Sequence, residues 1–223
     1  MNTVSKVSRR TFLRITGLSA SGLLLSGTLT RSLALSPPST GASGQALNLF
    51  VSVDADGFVD IIAHRSEMGT GIRTSLPQVV ADEMEADWNR VSVVQAMANT
   101  EYGSQNTDGS RSVRDFYQTM RQMGAAARTM MERTAAEIWQ APVSQCRARE
   151  HRVHHSDGRS LGFGELAVAA SKQAVPAPGE LKLKEASEFR YIGKSLAIVD
   201  LEDITTGKAV FGADVVLPGM RYA

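Results

Sequence analysis

Apolar and polar residues alternate across residues 47–53, and a second β-rich run covers residues 58–63. Such alternation marks strands with one buried face, because successive side chains point to opposite sides of a sheet. Asp54-Ala55-Asp56-Gly57 between the runs reads as a turn, so the patterned part of the chain opens with a hairpin. Its Asp-x-Asp-Gly spacing imitates the start of a calcium loop, but the later ligands and the closing glutamate are missing.

The period then lengthens from that of a strand to that of a helix. Leu76, Val79, Val80 and Met84 fall on one helical face, Thr74 or Ser75 is placed to cap it, and Pro77 is tolerable in the first turn. Residues 87–90 end this helix, and residues 91–95 return to strand, which gives a ββαβ order. A polar, glycine-containing stretch over residues 97–112 suits a functional surface loop. The long helix after it carries an apolar stripe through Val113, Phe116, Tyr117, Met120, Met123, Ala127, Met130, Thr134 and Ile138. Residues 124–127 are small enough to let another backbone approach, and the methionines at this spacing read as core packing. Residues 147–155 with the Asp157-Gly158 turn predict a second hairpin, and residues 163–172 a short helix. Residues 175–179, with two prolines, form a linker, beyond which short strands are expected, among them 198–200 and 209–211.

Ahead of these elements the pattern is of another kind. Ser8-Arg9-Arg10-Thr11-Phe12-Leu13 pairs arginines before an apolar stretch, and Lys6 and Arg14 add charge around them. Residues 15–29 are apolar but diluted by Gly, Ser and Thr, short of the roughly 20 apolar residues of a membrane span. Ser32-Leu33-Ala34 offers the small residues of a cleavage site. The expectation is a twin-arginine signal over residues 1–35, a linker over 36–46, and a mature start between Ala34 and Gln45. That route carries folded passengers to the periplasm or the periplasmic face of the cytoplasmic membrane, typically with a cofactor already inserted. An anchor or an amphipathic helix is the alternative for this segment.

A net charge of +1 with interspersed signs provides no basic face for nucleic acid. The single cysteine, Cys146, excludes an intramolecular disulfide framework and any cysteine-built zinc or iron–sulfur site, and reads as a small buried residue. His151, His154 and His155 do not share one face of a strand, and no carboxylate or thiolate is spaced to complete a metal set, so they are expected on an exposed strand. Glu67 and Glu101 sit in polar loops with no nucleophile to pair with, and neither is assigned a catalytic role.

The pattern that points to a ligand is Gly69-Thr70-Gly71 ahead of a helix. Glycines let successive backbone N–H groups face one concavity, and the helix terminus adds favourable potential for an anion. A tight strand-to-helix turn would need the same residues. Gly109-Ser110 before the long helix repeats the arrangement.

Three segments together resemble the large subunit of the xanthine dehydrogenase and aldehyde oxidase family, in the branch of isoquinoline 1-oxidoreductase beta subunits. They are Glu67-Met68-Gly69-Thr70-Gly71-Ile72-Arg73-Thr74-Ser75-Leu76-Pro77, Asp108-Gly109-Ser110, and a third run from Tyr191-Ile192-Gly193 through Gly212-Ala213-Asp214 to Pro218-Gly219-Met220-Arg221-Tyr222-Ala223. The first is similar to a loop that binds the molybdopterin cofactor through its backbone, with Thr70 where the family often has Gln. The third is similar to the opening of the family's hammerhead domain. The resemblance implies an α+β fold, a mixed sheet with helices over residues 47–175, followed by the start of an α/β hammerhead over residues 181–223. It implies a molybdopterin cofactor, the cytosine dinucleotide form included, cradled by Gly69, Thr70 and Gly71 and by Gly109 and Ser110. It further implies water-derived hydroxylation of an aldehyde or N-heteroaromatic substrate, a small [2Fe-2S] partner subunit, and a cytochrome c subunit as a further partner. The family's glycine-rich Phe loop and general-base glutamate are expected beyond Ala223, so this reading makes the chain the N-terminal part of an oxidoreductase subunit, inactive alone. The alternatives are an exported non-catalytic binding or scaffold protein that keeps the fold, and a truncated gene product.

Overall fold

The computed structural model describes residues 44–221. The expected signal lies outside the described residues, as does most of the linker. Strands β1 (Gln45–Asn48), β2 (Val51–Val53) and β3 (Val59–Ala63) run antiparallel, and β4 (Val91–Gln95) joins β3 in parallel, giving the sheet order β1-β2-β3-β4. The first expected strand is therefore two. Asn48 Oδ1 accepts the N–H of Phe50 at 2.9 Å, which folds the chain back on itself and buries both Leu47 and Phe50. The turn expected at 54–57 is present, with Asp54 Oδ1 accepting the N–H of Phe58 at 2.8 Å.

Helix α1 (Ile72–Met84) makes the crossover from β3 to β4. Neither Thr74 nor Ser75 caps it. The N-cap is Gly71, in left-handed conformation at φ 75°, so the helix starts earlier than expected and Pro77 lies within it. Thr74 Oγ1 instead accepts the N–H of Val199 at 2.9 Å.

Helix α2 (Ser112–Trp139) packs along α1 through a buried band from Met120 to Ala136. The ends of its expected apolar stripe, Val113 and Ile138, are exposed. Gly124 marks where the two helices meet most closely. A Cβ there would collide with the carbonyl oxygen of Val80 and come within 2.8 Å of Glu83 Cβ. Gly124→Ala should thus lower the unfolding free energy by about 1–3 kcal/mol in urea titration, although alanine is the better helix former. An unchanged midpoint would mean that the helices separate without penalty.

The second sheet is β5 (Cys146–Arg149), β6 (Arg152–His155) and β7 (Ser160–Gly162), followed by α3 (Phe163–Ala170). Cys146 is a buried free thiol. The exposed-strand expectation fails for two of the three histidines. His151 occupies the β5–β6 turn, where its Nδ1 accepts the N–H of Asp87 at 3.0 Å and its Nε2 donates to the carbonyl of Gly57 at 2.7 Å. His155 is buried beside Trp139, and only His154 is exposed.

From residue 181 the chain forms a strap across α1 and α2. Asp82, wholly buried, accepts the N–H groups of Arg190 (3.1 Å), Tyr191 (2.8 Å) and Ile192 (2.8 Å) and the ammonium of Lys184 at 2.9 Å. Glu85 takes a second contact from Lys184 at 2.5 Å, and Glu83 pairs with Arg121 and Arg128. The strands expected at 198–200 and 209–211 are absent among the described residues. A strand needs a neighbouring edge, and here that part of the chain holds a short helix, α4 (Leu201–Thr206), and irregular, largely exposed backbone.

Candidate functional site

The two loops singled out in the sequence, 69–71 at the start of α1 and 109–110 at the start of α2, face each other. Between them lies a cleft of about 440 Å³ lined by Met68, Thr70, Ile72 and Ser75 on one side and by Thr107 to Ser110, Ser112 and Val113 on the other. That volume suits a small ligand or one arm of a large one. The topology produces the site. β3 leads into the first loop, α1 departs from that loop, and β4 leads into the second.

The first loop forms the expected concavity of N–H groups. Gly69 and Gly71 both take left-handed angles, φ 92° and 75°, which ordinary residues resist. The concavity is not open, however. Glu67 Oε1 accepts the N–H groups of Met68 (3.0 Å), Gly69 (2.7 Å), Thr70 (2.6 Å) and Gly71 (3.0 Å), and Oε2 accepts that of Arg73 (3.1 Å). Partial burial opposes ionisation of this carboxyl, but the backbone donors outweigh it and hold its pKa below the usual glutamate value. In this structure the N–H groups of the expected cradle at 69–71 are thus engaged by the protein's own carboxylate.

The second loop is open. Helix α2 begins without a side-chain cap, leaving its first N–H groups to the cleft and solvent. Gly109 and Ser110 are left-handed at φ 54° each, which turns the chain into the helix. Behind them lies Arg65, 2% exposed. Its Nε donates to Ser112 Oγ at 3.0 Å, and its Nη1 to the carbonyl and hydroxyl of Ser104 at 2.6 and 2.9 Å. The nearest carboxylate, Asp108, is 4.0 Å away and half exposed. A buried guanidinium with mostly neutral partners, behind an uncapped helix start, makes this wall of the cleft electropositive.

His64, next to Arg65, is equally buried and lies among Phe50, Tyr102 and Phe116, with the Phe116 ring centroid 4.4 Å away. Neither of its ring nitrogens has a hydrogen-bond partner. Desolvation, with the Arg65 charge adding to it, lowers its pKa to about 4, so it is neutral at pH 7. Glu101 lies on the exposed side of its loop, away from the cleft lining. Among the described residues no three His, Cys, Asp or Glu side chains gather as a metal site.

Residues 26–210 match the molybdopterin cofactor-binding domain family. The chain belongs to that family. The beta subunit of isoquinoline 1-oxidoreductase from Brevundimonas diminuta is 32% identical to it over 92% of this chain and 33% of the relative. Membrane-bound aldehyde dehydrogenase [pyrroloquinoline-quinone] of Gluconacetobacter polyoxogenes is 34% identical over 78% of this chain and 23% of its own. The nicotinate dehydrogenase B-subunit of Pseudomonas putida is 30% identical, over 79% and 15%. The chain thus spans a third or less of the length of these relatives. Among solved structures, CO dehydrogenase from Oligotropha carboxidovorans aligns with a TM-score of 0.45 at 18% identity over 53% of this chain and 15% of its own. Quinoline 2-oxidoreductase from Pseudomonas putida 86 aligns with 0.43 at 16%, over 55% and 16%.

Both loops that line the cleft were singled out in the sequence, where Glu67 was noted only as an acid with no nucleophile to pair with, and Arg65 and His64 were given no role. Glu67 was legible in one respect, as a carboxylate two residues before a glycine loop at a helix start. Arg65 and His64 gave no comparable signal, since their roles depend on burial.

Proposed function

We propose that the cleft between residues 68–72 and 107–113 holds an anionic part of a molybdopterin cofactor. On this reading the chain is the cofactor-binding part of an oxidoreductase subunit acting on an aldehyde or an N-heteroaromatic carbon. The observation that carries it is the meeting of both glycine-containing loops at one cleft whose α2 wall is electropositive and uncapped. The residues fit such a group: free helix-start N–H groups and the hydroxyls of Ser110 and Thr70 line the cleft, with Arg65 behind them. When bound, the molybdenum of the cofactor supplies the two-electron redox chemistry with water as the oxygen source. This chain's own part is to bind and orient. Helix α2 directs N–H groups at negative charge, Arg65 holds Ser112 and Ser104 in place, and Met68 and Val113 offer apolar surface at the rim.

The cytosine dinucleotide form of the cofactor belongs to the same proposal, as do a [2Fe-2S] partner subunit, a cytochrome c subunit and twin-arginine export to the periplasm. The division into a cofactor-binding domain over 47–175 and the start of a hammerhead over 181–223 is likewise proposed. The test is to produce the protein in a host that makes the cofactor, then measure molybdenum and pterin fluorescence in the purified chain. Ser110→Asp places a carboxylate in the cleft at a position where Asp tolerates the left-handed backbone. Retention by the wild type with loss of about tenfold or more in this variant is expected, at unchanged thermal midpoint. Equal retention in both proteins would sink the placement.

A further inference from the structure

The loop over residues 68–70 is exposed, so packing does not hold it. Its N–H groups point inward to one carboxylate, which accepts five of them between Met68 and Arg73. No side chain on α1 caps the helix either, and Oε2 of Glu67 serves that purpose at Arg73. Charge-assisted bonds of this kind are roughly twice as strong as neutral ones, and four of them converge here on a single oxygen.

We propose that Glu67 is the positioning residue of the cleft: its carboxylate is the resident anion of the 68–71 concavity and fixes Met68 and Thr70 opposite Gly109 and Ser110. This deepens the reading of the cleft as a cofactor site and rests on it for its relevance. The geometric claim can be tested without cofactor. With the concavity filled from within, a bound anion is left to the α2 wall, while the first loop contributes side chains, Thr70 above all. The role is distinct from catalysis, since Glu67 is engaged by its own loop.

The experiment is amide hydrogen exchange over residues 68–73 in the cofactor-free full chain, for wild type, Glu67→Gln and Glu67→Ala, each with and without formate. In Glu67→Ala, exchange should rise about tenfold or more, the equivalent of losing one charge-assisted bond. Formate, a carboxylate small enough to enter the vacated space, should restore part of the protection there and leave the wild type unchanged. Glu67→Gln, which keeps one acceptor oxygen without charge, should fall between the two. Unaltered protection in Glu67→Ala overturns the proposal. So does a loss that formate leaves untouched and Glu67→Gln shares in full, since that marks general loosening. Should Glu67→Ala fail to fold, the glutamine variant decides alone: intermediate protection supports the role and wild-type protection overturns it. Because no cofactor is present, these outcomes stand whether or not the chain retains a pterin.

Discussion

Asp82→Ala is expected to lower the unfolding free energy by about 3–5 kcal/mol, the range for removing one partner of a buried, hydrogen-bonded ion pair. The side chain is fully buried, and its removal takes the acceptor from three successive N–H groups of the strap and leaves the Lys184 ammonium with Glu85 alone. Urea titration checks the magnitude. Limited trypsin digestion checks the location, because Lys182, Lys184 and Arg190 should become cleavable while the sheets remain protected. A change under about 1 kcal/mol, the scale of an exposed pair, would show that the strap is held by other means. Burial opposes the Asp82 charge, but the Ile192 N–H, Lys184 and the neighbouring N–H groups outweigh it and lower its pKa. Its contribution is therefore complete above the unfolded value of 3.8 and is lost as pH falls below it toward the folded value.

The strap also shows where sequence reading stops. The strand–helix–strand crossover, the long helix, the turn at Asp157-Gly158 and the close approach at Gly124 were legible, because each rests on periodicity, on turn residues or on the size of one residue. Asp82, Glu83 and Glu85 form a charged run at the C-terminal end of α1 that looks like a solvated face. Asp82 and Glu83 are buried, and Glu85 partly so, because Lys184, Arg190, Arg121 and Arg128 arrive from elsewhere in the chain to meet them. The expected strands at 198–200 and 209–211 carried the right residues, but strand formation needs a partner edge that local sequence does not specify. At the cleft the glycines announced a concavity of N–H groups, and the geometry is there. What local pattern could not reveal was its occupant, since a glutamate before a glycine loop reads equally well as a free acid. His151 was misplaced by one element because the Glu150-His151 pair forms a turn with both residues left-handed, at φ 50° and 67°, where few residues other than glycine or asparagine are expected.

Acidification from pH 6.5 to pH 4 should destabilise the protein, with His64 alone contributing about 3 kcal/mol. The sign follows from the direction of the shift. A histidine whose folded pKa is lowered to about 4 from 6.5 binds its proton more readily when unfolded, so acid draws the equilibrium toward the unfolded chain across that window. Above it the residue is neutral in both states and has no effect on the slope. Desolvation among Phe50, Tyr102 and Phe116 is the main cause, and the Arg65 charge beside it works in the same direction. His151 is lowered as well, by burial, so the wild-type slope has two histidine contributions and a variant is needed to separate them. His64→Phe supplies it. The ring fits an aromatic surround, removes two buried nitrogens without partners, and should raise stability at pH 7 by about 1–2 kcal/mol. Urea titrations at several pH values between 7 and 4 should show a much flatter dependence for the variant than for the wild type. Parallel curves would mean that His64 finds a proton partner in the folded state, and the wall behind the cleft would then be less apolar than its packing indicates.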